Sequence, residues 1–479
     1  MGLRTFAINQ SILAASKHCR LDEKYSVFTS IDNWIVFKSK YPQTVLSDYL
    51  ENIPIKKYKK GELDDDMLLV NISDQSQRSG ELEGIENVKE IGSDKNDLSD
   101  SDIFISKLGM PRGYIFINTL KGNKLIGSTE FIPYRFKHTE TKLFFKYLLL
   151  HPSFLNVYSF LESGKTPSHR RVNPYEFLKI KVPVLPKSKY TEIVAKIEPI
   201  ENKIKDLKRN LEQPQEIINR VFAREFEFDE NLYNTFGKGM TAGTQIAQNK
   251  TLRVFDTDFD HLSRSGIARF STRFHNPPTK SLMYFMDGID TLQVKDVVDS
   301  YEKGIQPKYN PDGEIPVVKI ANLKNGHIDF SEPEFITEEN FESLDEKKKL
   351  RINDIIICAT GKVSLGKIDI YDCDQDSLTT VDNYILRLNS NYNPLFFTYF
   401  FRCVLGYFQV ERDYTGATNQ IHLYWEQIAN FKIPNISLLE QQRIVDEIKT
   451  ELDKQDSIKK QIESERSKID EIIENCIKG

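Results

Sequence analysis

Tryptophan, cysteine and methionine are scarce in this chain: 2, 5 and 6 among 479 residues. The cysteines (Cys19, Cys358, Cys373, Cys403, Cys476) are scattered, odd in number and never form CxxC. That excludes a disulfide framework in a chain of this size and predicts free thiols in a reducing cytoplasm. The eight histidines have no metal-ligand spacing with cysteines or acids, so no metal site is expected. Long apolar runs are missing as well. The longest, LFFTYFFRCVLGYF from Leu395, has 14 residues and carries Arg402, too short to span a bilayer. The start, MGLRTFAINQSIL, lacks a basic region followed by an apolar core, so no signal peptide is expected. A global positive field is absent too, since the formal net charge is −5. A local basic patch suffices to hold phosphates, so this does not exclude nucleic acid. Three such patches exist: IKKYKKG (55–61), HRR (169–171) and EKKKLR (346–351). Each taken singly is more often a solvated surface than a contact.

What the chain does have is an ordinary soluble composition, 39% hydrophobic and 28% charged, with length for two to four domains. It also repeats itself with a period of about 250 residues. LFFKYLL (143–149) returns as LFFTYFF (395–401). The same offset pairs Asp102 with Asp354, Gly109 with Gly361, Arg135 with Arg387, and Gly164 and Thr166 with Gly416 and Thr418. Slightly shorter offsets pair Leu69, Val70 and Ile72 with Val317, Val318 and Ile320. Two homologous halves follow, each a globular unit and then a helix. Short β-branched runs bounded by turn residues read as strands: IFISKLG, GYIFI and EFIPYRF in the first unit, IPVVKIANL, DIIICATG and NYILRL in the second. The LFFKYLL and LFFTYFF segments read as buried helices, their aromatics as core.

After the first unit, Ile193, Ile197, Ile200, Ile204, Leu207, Leu211, Ile218 and Val221 repeat every 3.5 residues, the signature of a helix packed along another helix. Pro199 and Pro214 interrupt it, and a kink or break is expected near each. After the second unit, Val445, Ile448, Leu452, Ile458, Ile462, Ile469 and Ile473 form a similar stripe. Leu438 to Lys478 contains no Gly or Pro, which permits about 40 helical residues, roughly 60 Å. Two striped helices after two homologous units predict an α+β fold: two mixed α/β domains separated by two long antiparallel, coiled-coil-like helices, with pseudo-two-fold symmetry. The expected segments are 1–186 and 255–435 for the domains, 187–226 and 436–479 for the helical spacers, and 227–254 for a linker.

Two motifs invite an enzymatic reading and fail it. GKVSLGKI (361–368) opens like a phosphate-binding loop after a strand. Yet Ile368 stands where Ser or Thr should ligate magnesium, KIDIYD reads as a strand rather than a helix, and the first-half counterpart GMPRGYI (109–115) lacks the lysine. NPPT (276–279) suggests an amino-methyltransferase motif, but Thr279 cannot stack on a flipped base.

The chain resembles the specificity subunit of Type I restriction–modification enzymes over essentially its whole length. The resemblance rests on the order domain, helix, domain, helix. It rests also on VVKIANLKNGHID (317–329), NDIIICATGKVSLGK (353–367), GATNQIHLYWEQIANFKIP (416–434) and SLLEQQRIVDEI (437–448), with looser first-half matches SDIFISKLGMPRG (101–113) and GKTPSHRRVNPYEFLKIKVP (164–183). It implies a non-catalytic cytoplasmic subunit that binds double-stranded DNA. Each target-recognition domain would read one half of an asymmetric bipartite site, and the helices would set the spacing. The chain itself would bind no cofactor. Two adenine methyltransferase subunits would bring S-adenosylmethionine, and two restriction subunits, where present, ATP and Mg. No membrane is implied. A protein-only scaffold is the rival reading.

Loops that recur in both halves and carry donors are the candidate DNA contacts: Lys107 and Arg112; Ser168, His169, Arg170 and Arg171; Lys362, Ser364 and Lys367; Thr418, Asn419, Gln420 and His422. Arg and Lys can bond guanine edges, and Asn or Gln can pair with adenine; other such contacts reach only phosphate. Lys56, Lys57, Lys59, Lys60 and Lys347 to Lys349 are assigned to phosphate. For partner docking the stripe residues Ile193, Ile197, Ile204, Leu207, Leu211, Val445, Ile448, Leu452, Ile462 and Ile469 are the candidates.

Overall fold

A computed structural model describes residues 38–61, 63–164, 169–228, 271–275, 277–324, 326–331, 333–417 and 420–478, with the single residues 25, 36, 257, 259 and 263. The FGKG and FGKGMTAGTQIAQNKT stretches of the expected linker lie outside the described residues. The chain divides into two compact units: 1–210 together with 459–479, and 211–458.

The first unit is built on a four-stranded antiparallel sheet in the order Leu50–Asn52, Phe131–Phe136, Ile103–Ser106, Ile115–Ile117. In the second unit the order is Val298–Lys303, Asn383–Leu388, Ile355–Cys358, Ile368–Ile370, again antiparallel. These are the same four positions of the sequence repeat in the same spatial order. All four residues of Ile103–Ser106 and of Ile355–Cys358 are buried. Such continuous apolar runs, without alternation, are what a strand covered on both faces requires. Each domain also pairs its first strand with its last. Gln43–Val45 runs antiparallel to Lys181–Pro183, and Thr291–Gln293 to Lys432–Pro434. The chain thereby closes each domain immediately before the spacer helix begins.

A side sheet distinguishes the domains. Five strands form it in the first and three in the second. Both keep one parallel pair at the matched residues: Leu69 and Val70 lie beside Ile126 and Gly127, and Val317 and Val318 beside Leu378 and Thr379.

The aromatic segments are helices, Lys142–Leu149 and Pro394–Arg402, with Phe144, Phe145, Phe396 and Phe400 fully buried. The second helix starts where it does because Pro394 occupies its first turn and the Asn393 side chain accepts from the Leu395 and Phe396 N–H groups. At its end Arg402 pairs with Asp369 at 3.3 Å, both buried. Asp369 also accepts from Gly326 N–H at 2.7 Å. Burial pushes the Asp369 carboxyl up to about 6, against the pull of Arg402. A carboxyl raised on folding binds its proton more tightly in the native state, so this group's contribution falls as pH rises from about 4 toward 6. Asp369→Asn is expected to flatten that part of the stability profile, measured by urea unfolding at stepped pH.

The spacers correct the expectation of a break at Pro199. Helix Lys187–Arg209 runs unbroken through Pro199. A mid-helix proline costs about 3 kcal/mol, but Ile193, Ile197 and Ile204 are buried on one face, and each fully buried side chain of this type contributes about 1.5–3 kcal/mol. The packing outweighs the lost hydrogen bond. At Pro214 the break is real: 210–213 interrupt the helix, and Pro214 opens a new one, Pro214–Glu225. Leu438–Ile477 is a single 40-residue helix. Within the second unit the two helices run antiparallel. Partners descend along one as they ascend along the other: Glu212 N–H to Gln455 at 2.9 Å, Arg220 to Glu451 at 3.9 Å, Arg224 to Glu447 at 2.5 Å, and Glu225 to Arg443.

The stripe residues proposed for partner docking are thereby corrected. Val445 and Ile448 lie in the core of the second unit and Leu452 packs on it. Ile193, Ile197, Ile204, Ile462 and Ile469 are buried, and Leu207 and Leu211 half-buried. An apolar stripe long enough to bind a partner is long enough to bind the chain's own helix first. The exposed apolar side chains at this end of the long helix are Leu438 and Leu439, at 45% and 82%.

Candidate nucleic-acid interface

The two glycine loops share one plan, a turn between two glycines at positive φ with one buried anchor, and the first is one residue shorter. In the second domain, Gly361 and Gly366 take positive φ of 88° and 75°. Ser364 and Leu365 N–H groups donate to Gly361 O at 3.1 and 2.9 Å, and Gly366 N–H donates to Cys358 O at 2.8 Å. Leu365 is the buried anchor, and a Cβ on Gly366 would meet Val410 at 2.8 Å, so the loop leaves no room for a side chain there. In the first domain, Gly109 and Gly113 take φ of 67° and 82° around the short helical turn Met110–Arg112, with Met110 as buried anchor.

Each loop is pinned from the side by the segment after the Gly-x-Thr motif. Leu108 bridges Arg171, and Val172 N–H donates to Lys107 O at 3.0 Å. Thr360 bridges His422, Gly361 N–H donates to Ile421 O at 3.2 Å, and Leu423 N–H donates to Ala359 O at 2.9 Å. Two regions 63 residues apart in one domain and 62 in the other thus meet at one place in each, which puts most of the candidate contacts together.

These bonds also dispose of the nucleotide-cradle reading. A phosphate loop works by leaving backbone N–H groups free to converge on an anion. Here Gly361, Ser364, Leu365, Gly366 and Lys367 all donate to backbone carbonyls, and strand Ile368–Ile370 follows. In NPPT, Asn276 lies outside the described residues, and Thr279 is fully buried, with no room for a base.

The candidates separate by environment. Arg112, His169, Arg170, Lys362 and Gln420 are exposed; Ser364 and His422 are half-buried. Lys107 and Arg171 share one carboxylate, Glu130, at 3.7 and 3.0 Å. Ser168, Thr418 and Asn419 lie outside the described residues. Lys367 is a correction: its ammonium turns inward to Ile320 O at 2.8 Å, and burial lowers its pKa. The basic runs are also more neutralised than their sequence suggests. Lys56 and Lys59 pair with Asp97 and Asp94, Lys348 with Glu302 and Lys349 with Glu346, whereas Lys57, Lys60 and Lys347 carry no such pair among the described residues. Arg387 sets the second of these runs in place. It grips Asp354 with two nitrogens, at 2.9 and 2.8 Å, and donates to the carbonyls of Lys347 and Lys349. The matched first-half residues part company: Asp102 pairs with Lys121 at 2.9 Å and Arg135 with Glu51 at 3.5 Å.

Two exposed features escaped the sequence reading. Val363, at the tip of the second loop, is 76% exposed. In the same domain, Tyr301 stacks on Trp425 with ring centroids 4.0 Å apart and Tyr424 stands exposed beside His422. A lone valine between charged neighbours gives no sequence signal, and the two rings of the stack are far apart in the chain. Among the described residues no group of His, Cys, Asp and Glu could hold a metal ion, and no helix is long and apolar enough to cross a membrane.

Residues 286–465 match the family model of the Type I restriction modification DNA specificity domain. No curated protein matches the chain. Among solved structures the chain is similar to one described for complex assembly and conformational transition of the type I R-M system, at 14% identity, covering 92% of this chain and 99% of that one, TM-score 0.39. It is similar also to the HsdS subunit from Thermoanaerobacter tengcongensis (14% identity, 92% and 97% covered, TM-score 0.32) and to the Type I S subunit from M. genitalium (12%, 94% and 98%, TM-score 0.36). The match to the Type I restriction modification DNA specificity domain falls in the second half of the chain, and the sheet order and pinned loop of that half recur in the first.

Proposed function

We propose that the two domains, 1–186 and 255–435, each read one half of an asymmetric, bipartite duplex site, and that the helical segments 187–226 and 436–479 set the half-site spacing and dock adenine methyltransferase subunits. The observation that carries this is the pinned glycine loop. Its backbone frame recurs in both domains while its exposed residues differ, Arg112 in one and Lys362 and Val363 in the other. A common frame with different side chains is what two readers of different sequences need, because base edges are distinguished by donors, acceptors and methyls. The chain contributes no chemistry in this reading. Two methyltransferase subunits bring S-adenosylmethionine and act on adenine, two restriction subunits can join with ATP and Mg, and the complex works in the cytoplasm. Methyltransferase docking falls to the outer faces of the helices, Leu438 and Leu439 among them, since the stripes face inward.

Methylation mapping of host DNA with the gene present and absent tests this. A two-part adenine-methylated motif that vanishes with the gene is the expected result. An electrophoretic assay in which neither the chain nor its complex with the methyltransferase binds any duplex would leave only a scaffold.

A further inference from the structure

We propose that the apolar tip of each glycine loop is a base-reading element, and that Val363 reads the 5-methyl group of a thymine in the second half-site. The inference deepens the DNA-reading proposal and rests on it. Single exposed apolar residues are common on protein surfaces and need no function. Three observations lift Val363 above that background. Its 76% exposure sits on a rigid frame: glycines at positive φ on both sides, Leu365 buried, and loop N–H groups bonded to the backbone. A β-branched side chain on such a frame has little conformational entropy left to lose on contact. The position also recurs. Counted from the opening glycines Gly109 and Gly361, the half-buried Pro111 stands opposite Val363, in a turn one residue shorter that closes at Gly113. Each tip has one exposed cation next to it, Lys362 before Val363 and Arg112 after Pro111. An apolar tip with an adjacent cation suits a major-groove edge, where the thymine methyl is the one apolar group on offer and phosphates flank it.

Lys362 then holds phosphate and does not discriminate, while Val363 discriminates and adds little to affinity elsewhere. The two roles separate experimentally. The complex of the chain with its methyltransferase is titrated with duplexes carrying the mapped site, in which each thymine base-paired in the second half-site is replaced in turn by uracil, which lacks only the methyl. At one position the wild type is expected to bind the uracil duplex about fourfold more weakly, the worth of one buried methyl. Val363→Ala is expected to bind the thymine and uracil duplexes equally at that position. Lys362→Ala is expected to weaken both alike and to keep the fourfold preference. The proposal is overturned if Val363→Ala keeps the full preference at every position, if Lys362→Ala erases it, or if the second half-site contains no thymine. Failure of the wild-type complex to bind any duplex would instead remove the DNA-reading proposal beneath it. Val363 is exposed and outside the core, so its replacement leaves folding as a constant.

Discussion

Exchanging residues 1–186 for the corresponding segment of a Type I specificity subunit is expected, on the proposed function, to replace one half of the methylated motif and leave the other half and the spacing unchanged. The ground is the closure of each domain on itself. Gln43–Val45 pairs with Lys181–Pro183 at the end of the first domain, so the exchange cuts the chain after a completed sheet and before the helix Lys187–Arg209. The glycine loop, the segment that pins it and the four-stranded sheet all travel together, and no backbone ladder is divided. Each mismatched base pair costs a specific DNA-binding protein about 1–3 kcal/mol. A replaced half-site of even three positions therefore moves methylation from one motif to another nearly completely. The measurement is methylation mapping of DNA from cells carrying the hybrid. A change in both halves of the motif would refute modular reading.

Phe222→Ala is the second large effect, and it concerns how a recognition domain is fixed to its helix. Phe222 sits on helix Pro214–Glu225, fully buried, with ring centroids 5.6 and 5.8 Å from those of Phe396 and Phe400 on the domain's aromatic helix. Gln215 donates to Arg402 O and Asn219 accepts from Val404 N–H beside this contact. Truncating a buried phenylalanine to alanine costs about 3–5 kcal/mol, because transfer and cavity terms add. Removing an exposed ion pair on the same helix pair, by Arg443→Ala, costs about 0–1 kcal/mol. The expected result in urea unfolding is a large fall in the midpoint for Phe222→Ala and almost none for Arg443→Ala. Trp425 is the only tryptophan of the second unit, so its fluorescence in a Trp34→Phe background reports on that unit. Equal, small effects from the two variants would mean that the aromatic contact does not hold the domain.

The elements legible in the sequence were those with local or periodic signals. IFIS, IIIC and NYILRL are strands, LFFKYLL and LFFTYFF are buried helices, and the 40-residue stretch free of Gly and Pro is one helix. Local pattern suffices there because the identity of each element depends on which face of its own backbone is apolar. Pro199 shows the limit. Proline's local penalty is fixed, but whether it breaks the helix depends on burial of Ile193, Ile197 and Ile204, a tertiary quantity.

The repeat and the glycine-loop motifs were enough by themselves to place the candidate interface on recurring loops and to set aside nucleotide binding. Which of those donors are available was decided only by the tertiary structure. Lys367 turns in to a carbonyl, Lys107 and Arg171 share Glu130, and the stripe isoleucines meet the chain's own core, while Val363 alone of its loop's apolar residues is left at the tip. The physical reason is one of range. Periodicity and turn chemistry act over a few neighbouring residues, whereas a charge is neutralised and an apolar surface covered by whatever the fold brings within a few ångströms.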